Sequence, residues 1–439
     1  MAVLVVGMGV TGEAVARWLL SQGESVTAVE DRPTDAARAR GEAVGVRLIE
    51  APRPDELDQL VRDASMVVPS PGVPVGHPVF ALAEAAGVPV VSEVELAAER
   101  ARVPIVAITG TNGKTTVTTL VTSMLERSGL DAVAAGNIGR PLIEAAAAET
   151  GVLVAEVSSF QLQFTRRFRP VVAVWLNLSE DHLDWHPSMA HYAAAKARVW
   201  ANQGPGDVAI VNSDDPAVLA ASAGVPSGVR VVTFGSDGDW RVSDGRLRGP
   251  LGLDLGPVAD LPRRLPHDVA NALAAAAAAD AVGARPADSR AALLAFRGLP
   301  HRVQLIGEAG GVRFFDDSKA TTPASVLAAL AGMDTVVLIA GGRNKSLDLS
   351  TLAEGARHVR AVVAIGEAAG EVEAAFSGVR PVIQASSMED AVSEARRLAQ
   401  PGDTVLLSPG CASFDMYPNY GARGDHFAAV VHDQLESVR

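Results

Sequence analysis

The chain of 439 residues is long enough for roughly two to four domains with ample cores. Its formal net charge of -13 argues against a nucleic-acid scaffold, which would usually be basic, while leaving room for a local basic pocket. One cysteine, Cys411, excludes an intrachain disulfide and suits the cytosol; a small buried residue is expected there rather than a reactive thiol.

The N-terminal run Met1-Ala2-Val3-Leu4-Val5-Val6 lacks a basic leader and breaks into glycines at once, so no export signal is expected. Val3–Val6 predicts a buried strand. Gly7-Met8-Gly9-Val10-Thr11-Gly12 predicts a glycine turn into a helix over Glu13–Ser21, and Val26–Val29 a second strand ending at Glu30. This is a dinucleotide-type opening. Met66–Val68 predicts a further strand, leading to Ser70-Pro71-Gly72, a turn whose backbone amides can meet a ligand.

The second segment carries the most chemistry. Ile108-Thr109-Gly110-Thr111-Asn112-Gly113-Lys114-Thr115-Thr116 follows an apolar strand and opens a helix at Lys114. Gly110 and Gly113 allow a tight turn with inward N–H groups, and the helix N-terminus adds partial positive charge. Lys114 can reach a β- or γ-phosphate and Thr115 can ligate Mg²⁺. The glycine expected five residues before Gly113 is Ile108, so this is a shortened P-loop; the bland alternative is a glycine turn with a solvated lysine. Strands are expected at Val103–Thr109, Val152–Val157, Val171–Asn177 and Val208–Asn212, alternating with helices in a parallel sheet. Glu156, with Ser158, Ser159 and Gln161 behind it, sits at a strand end where Mg²⁺ partners belong. Asn177, Glu180, Asp181, His182 and Asp184 follow the next strand. Lys196, taken alone, reads as a solvated helix lysine. The run Ala270–Ala281, interrupted by Asn271 and Asp280, predicts a helix packed inside a domain, too short and small-sided to span a bilayer. In the third segment Val336–Ala340, Ala361–Ile365 and Thr404–Leu407 predict another open α/β sheet.

These motifs together resemble the Mur ligases, ADP-forming amide ligases of peptidoglycan assembly. The resemblance rests on the P-loop, Gly136-Asn137-Ile138-Gly139, Glu156 to Leu162, Asp181-His182-Leu183-Asp184 and Tyr192 to Lys196. It continues through His301-Arg302, Asp316 to Thr321, Gly341 to Ser346 and Ser408 to Asp415, covering the whole chain in order. The N-terminal glycine turn and the run Ser413 to Tyr420 are similar to the branch that adds D-glutamate. The family implies an α/β fold of three domains: a Rossmann-like domain over 1–91 for the UDP-substrate, a central P-loop ATPase-type parallel sheet over 92–297, and a Rossmann-like open sheet over 298–439 for glutamate.

The resemblance also implies roles. ATP would be held by Gly110, Thr111, Asn112, Gly113, Lys114, Thr115 and Thr116, with Asn271 at the adenine, Arg302 at the γ-phosphate and Asp317 at the ribose. Thr115 and Glu156 would hold one Mg²⁺; His182 and Lys196, the latter as a CO₂-derived carbamate, would hold a second. Lys114, His182, Lys196 and Arg302 would be the catalytic set. Val10, Thr11, Glu30, Asp31, Arg32, Ser70, Gly72, Asn137, Ser158, Gln161 and His182 would meet UDP-N-acetylmuramoyl-L-alanine. Lys319, Thr321, Lys345, Ser413 and Tyr420 would meet D-glutamate. A cytoplasmic monomer without nucleic-acid or membrane partners is expected.

Two departures stand out. The family pattern His-Asn-x-x-Asn reads His267-Asp268-Val269-Ala270-Asn271 here, which removes an amide and adds a negative charge. Tyr420 adds a hydroxyl where relatives can carry Phe. A nicotinamide-dependent oxidoreductase would explain Gly7–Gly12 and Glu30 but leaves the P-loop, Lys319 and Lys345 without work. A P-loop regulatory ATPase would explain Lys114 but not the nucleotide-sugar segment. A folylpolyglutamate or diaminopimelate ligase is the nearer rival, and the N-terminal glycine turn argues against it.

Overall fold

The computed structural model describes residues 2–147, 151–183 and 185–436, so Asp184 lies outside the described residues. Over these the chain falls into two compact units. The first comprises Met1–Leu178, Trp185–Asp260 and Asn271–Leu294; the second comprises Ser179–Asp184, Leu261–Ala270 and Ala295–Arg439.

The first unit begins with β1 (Ala2–Val6), β2 (Val26–Glu30), β3 (Arg47–Glu50) and β4 (Ala64–Pro69), all parallel in the order β3-β2-β1-β4. Val3 to Val6 are buried because strands on both sides and layers on both faces cover them. The helix after β1 starts at Val10, not Glu13, so Gly12 lies in its first turn. A Cβ at Gly12 would overlap the carbonyl oxygen of Gly7, so only glycine lets the helix pack this close to the turn. β3 has only Leu48 and Ile49 between Arg47 and Glu50, too short an apolar run to read as a strand.

Next come β5 (Ile105–Thr109), β6 (Ala132–Gly136), β7 (Val152–Glu156), β8 (Val172–Trp175), β9 (Val208–Asn212) and β10 (Arg230–Phe234). They form a parallel sheet in the order β10-β9-β8-β5-β7-β6. β5 is therefore central, and the loops leaving the carboxyl ends of β5, β7 and β8 converge, where ligands meet parallel sheets. The helix Pro266–Ala281 buries the side chains of Ala272 to Ala279, as its alanine run predicts. A small antiparallel sheet of β11 (Arg241–Ser243), β12 (Arg246–Arg248) and β13 (Asp254–Pro257) carries no period long enough to be read in advance.

The second unit holds β14 (Gln304–Ala309), β15 (Val312–Asp316), β16 (Val336–Gly341), β17 (Val359–Ile365), β18 (Val382–Ala385) and β19 (Thr404–Leu407), ordered β14-β15-β19-β16-β17-β18. The sheet is open, as expected, but mixed: β14 is an antiparallel edge joined to β15 through Gly310-Gly311, both at positive φ (58° and 76°). No helix among the described residues is long and apolar enough to cross a membrane.

Candidate active site

The turn after β5 has the backbone shape that the expected phosphate cradle requires. Gly110 and Gly113 have φ of 157° and 86°, and the helix Lys114–Arg127 starts directly after them. Asn177, from beyond β8, braces the loop: its Oδ1 accepts from Asn112 N at 2.8 Å, and its Nδ2 donates to Asn112 O at 3.1 Å. Lys114 Nζ lies along the loop, donating to Gly110 O at 2.9 Å and Thr111 O at 3.0 Å. Lys196 Nζ donates to the same Gly110 O at 2.8 Å. Two lysines thus converge on one carbonyl of the cradle. Lys196 is 1% exposed and sits 4.5 Å from the ring centroid of Tyr192, whose hydroxyl lies 3.3 Å from Thr111 Oγ1. The solvated-lysine reading of Lys196 is corrected: the helix Met189–Ala197 turns this face inward. On the other side of the loop, a Cβ at Gly113 would come within 2.5 Å of Asn271 Oδ1, which places the adenine candidate against the cradle.

Glu156, at the end of β7, is buried. Its Oε1 accepts from Asn137 Nδ2 at 2.8 Å, while Oε2 is buried without a hydrogen-bond partner. An unsatisfied buried carboxylate oxygen is costly unless a cation meets it. Ser158 and Gln161 cap the short helix Ser159–Gln163 reciprocally, so these two candidates are tied to each other.

At the N-terminal sheet Glu30 turns inward: Oε2 accepts from Met8 N at 2.8 Å and Oε1 from Arg32 N at 3.2 Å. It therefore clamps the glycine turn. Asp31 is half-exposed and bonded to His77. Ser70 Oγ donates to Gly7 O at 2.7 Å, joining the Ser70–Gly72 turn to that clamp. Val10 and Arg32 are exposed, and Thr11 is partly buried.

In the second unit Arg302 sits between His301 and Val303, two residues at positive φ (59° and 46°). This strained corner is held by Asp316 and Asp317. His301 Nδ1 lies 2.6 Å from Asp316 Oδ2; Asp317 accepts from Val303 N at 3.2 Å and Ser408 Oγ at 2.8 Å. Burial pushes the Asp317 carboxyl up to about 7 against the pull of those two bonds. Lys319 Nζ lies 4.0 Å from the Tyr420 ring centroid, Ser413 is buried, and Thr321 is partly buried. Lys345 Nζ donates to Asp181 Oδ1 at 2.8 Å, and His182 Nε2 is 3.4 Å from Asp181 Oδ2. Burial raises the Asp181 carboxyl, but His182 and Lys345 outweigh it and hold the group below its ordinary range. Asp268, the departure from the family pattern, accepts from Arg263 Nε at 3.0 Å and Leu265 N at 3.3 Å, so its charge is answered at the helix start. Cys411 is buried, and burial pushes its thiol up to about 12, as an inert residue requires.

Sequence reading assigned no role to Tyr192, Glu93, Arg423 or His77. Arg423 is buried and donates to Ser318 O and Cys411 O at 2.8 and 3.1 Å, tying together the two loops that carry Lys319 and Ser413. The Tyr192-to-Lys196 spacing of four was the only local signal among them.

Three family models match consecutive parts of the chain: the Mur ligase MurD-like N-terminal domain over residues 1–92, the Mur ligase middle domain over 108–279, and the Mur ligase glutamate ligase domain over 301–411. A protein of Frankia casuarinae named UDP-N-acetylmuramoylalanine--D-glutamate ligase is 45% identical, covering 98% of this chain and 93% of its own. One of the same name from Pelotomaculum thermopropionicum is 42% identical, covering 98% and 97%. Among solved structures, a pseudomurein peptide ligase type C from Methanothermus fervidus superposes with a TM-score of 0.63 at 19% identity, over 99% of this chain and all of that one, a likeness of fold.

Proposed function

The chain belongs to the Mur ligase family, and from that premise we propose that it joins D-glutamate to UDP-N-acetylmuramoyl-L-alanine at the expense of ATP, forming ADP and phosphate in peptidoglycan precursor synthesis. The observation that carries this reading is the braced cradle at Gly110–Thr116, with Lys114 and Lys196 converging on Gly110 O, in a chain so similar to such ligases over nearly its whole length.

A carboxylate does not form an amide at neutral pH without activation. The alanyl carboxylate attacks the γ-phosphoryl group of ATP and becomes an acyl phosphate. The amine of glutamate adds to the acyl carbon, and phosphate leaves from the tetrahedral intermediate. No protein nucleophile is needed; the residues position the reactants and neutralise developing charge. We assign Lys114 and Arg302 to the transferring phosphoryl group, Asn271 to the adenine and Asp317 to the ribose. Glu30, Asp31, Arg32, Val10, Thr11 and the Ser70–Gly72 turn are assigned to the UDP end, with Asn137, Ser158, Gln161 and His182 further along that substrate. Lys319, Thr321, Lys345, Ser413 and Tyr420 are assigned to glutamate. The corresponding domains are 1–91, 92–297 and 298–439.

The orphan oxygen of Glu156 fits a metal, and Thr115 with Glu156 would hold a Mg²⁺. That ion supplies charge neutralisation at the phosphates when bound. His182 and Lys196 are proposed for a second Mg²⁺. Two cations directed at one carbonyl repel; conversion of Lys196 to a carbamate turns that repulsion into attraction and offers hard oxygen donors. We take the enzyme to be a cytoplasmic monomer.

Oxygen label placed in the alanyl carboxylate tests the reading. One labelled oxygen should appear in the released phosphate, with ADP formed only when both the nucleotide precursor and D-glutamate are present. AMP formation, or unlabelled phosphate, rejects the mechanism.

A further inference from the structure

We infer that His77 is a positioning residue for recognition of the uracil end of the nucleotide substrate, acting through Asp31. The inference rests on the assignment of Asp31 to that end made above.

His77 stands at the N-cap of the helix Pro78–Ala86, a position usually filled by Ser, Thr, Asp or Asn. Here the imidazole does the capping: Nδ1 accepts from Val79 N at 3.1 Å. A ring nitrogen that accepts carries no proton, so in the neutral ring the hydrogen resides on Nε2. Nε2 lies 2.6 Å from Asp31 Oδ2. The cap therefore fixes the tautomer, the tautomer makes Nε2 a donor, and the donor fixes Asp31.

The burial of the pair shows which partner is the support. The His77 side chain is 6% exposed, whereas that of Asp31 is 49% exposed. Asp31 follows the end of β2 directly, and an unbraced carboxylate with this exposure samples several rotamers. Bonded at Oδ2 to a buried ring, it presents Oδ1 in one orientation. A carboxylate oxygen so held suits the imide N–H of uracil, which is a donor. Cytosine has an unprotonated ring nitrogen at that position and would face the carboxylate with a lone pair. The brace thus bears on base selectivity as well as affinity.

His77→Asn separates this role from capping. Asn is a good N-cap and can take over the bond from Val79 N, but it is too short to replace Nε2 at Asp31. Steady-state kinetics are measured on the full chain for His77→Asn, Asp31→Asn and the double variant, with His77→Ser as a second capping replacement. The expected result is a KM for UDP-N-acetylmuramoyl-L-alanine raised about tenfold in His77→Asn, as loss of a charge-assisted bond implies, with kcat and the KM for ATP within about twofold of the parent. Asp31→Asn should raise the same KM at least as much, and the double variant should match Asp31→Asn. His77→Ser should repeat the pattern of His77→Asn. Parental KM in both His77 variants alongside a raised KM in Asp31→Asn would reduce His77 to a helix cap and overturn the inference, as would additive effects in the double variant. Parental KM in Asp31→Asn would instead remove the uracil-end assignment itself.

Discussion

Glu93 is the first residue of the helix Glu93–Arg100 and is buried to 1% exposure. Its Oε1 accepts from Ile143 N at 2.6 Å, and its Oε2 is buried without a hydrogen-bond partner. Burial pushes its carboxyl from 4.5 up to about 7, against the pull of the Ile143 bond. Between those two values the folded chain holds a proton that the unfolded chain has released. The contribution to stability is therefore present in full below about pH 4.5 and is lost as the pH rises to about 7. The difference, 7 − 4.5 = 2.5 pH units, corresponds to about 3 kcal/mol at pH 8. Glu93→Gln keeps the acceptor for Ile143 N and removes the charge. It should be about 3 kcal/mol more stable than the parent at pH 8, a rise in unfolding midpoint on the order of 6 °C for a unit this large. The gain should shrink toward zero as the pH falls to about 4.5. Thermal unfolding followed by circular dichroism at pH 5, 6.5 and 8 measures it. A variant less stable than the parent at every pH would show that the carboxylate is ionised and compensated in the fold, refuting the argument.

Other substitutions probe the chemistry. Lys114→Ala removes the cation of the cradle and should lower kcat by about two to three orders of magnitude, with an unchanged circular dichroism spectrum. Lys196→Arg retains a positive charge but cannot form the carbamate, so turnover should fall nearly as far as in Lys196→Ala, and acetate should partly restore the alanine variant; near-normal activity of Lys196→Arg would remove the carbamate assignment. Lys345→Ala should raise the KM for D-glutamate by at least about tenfold and the KM for ATP far less. Equal increases for all three substrates would place Lys345 in organising the Asp181 segment to which it is bonded.

What was legible in advance was chemistry written on contiguous residues. A strand, two glycines and a helix start fall at fixed steps of one segment, so the turn over Gly110–Lys114 could be read from the residues alone. The apolar strands β1, β5, β16 and β19 were equally legible, because burial on both faces leaves no polar alternation to confuse. Residues whose work depends on a distant partner were not. Lys196 reads as a surface lysine until its helix is placed against a loop 86 positions earlier. Glu30 matches the acidic residue of a dinucleotide site by spacing, yet its carboxylate turns back 22 positions to Met8 N and closes the very turn a dinucleotide would use. Glu30 carries one hydrogen bond on each oxygen and is drawn toward the turn, whereas the neighbouring Asp31 is half-exposed and bonded to His77 through Oδ2 alone. Spacing alone does not say which way a carboxylate points; here the fold turns Glu30 toward Met8 N and leaves Asp31 half-exposed beside it.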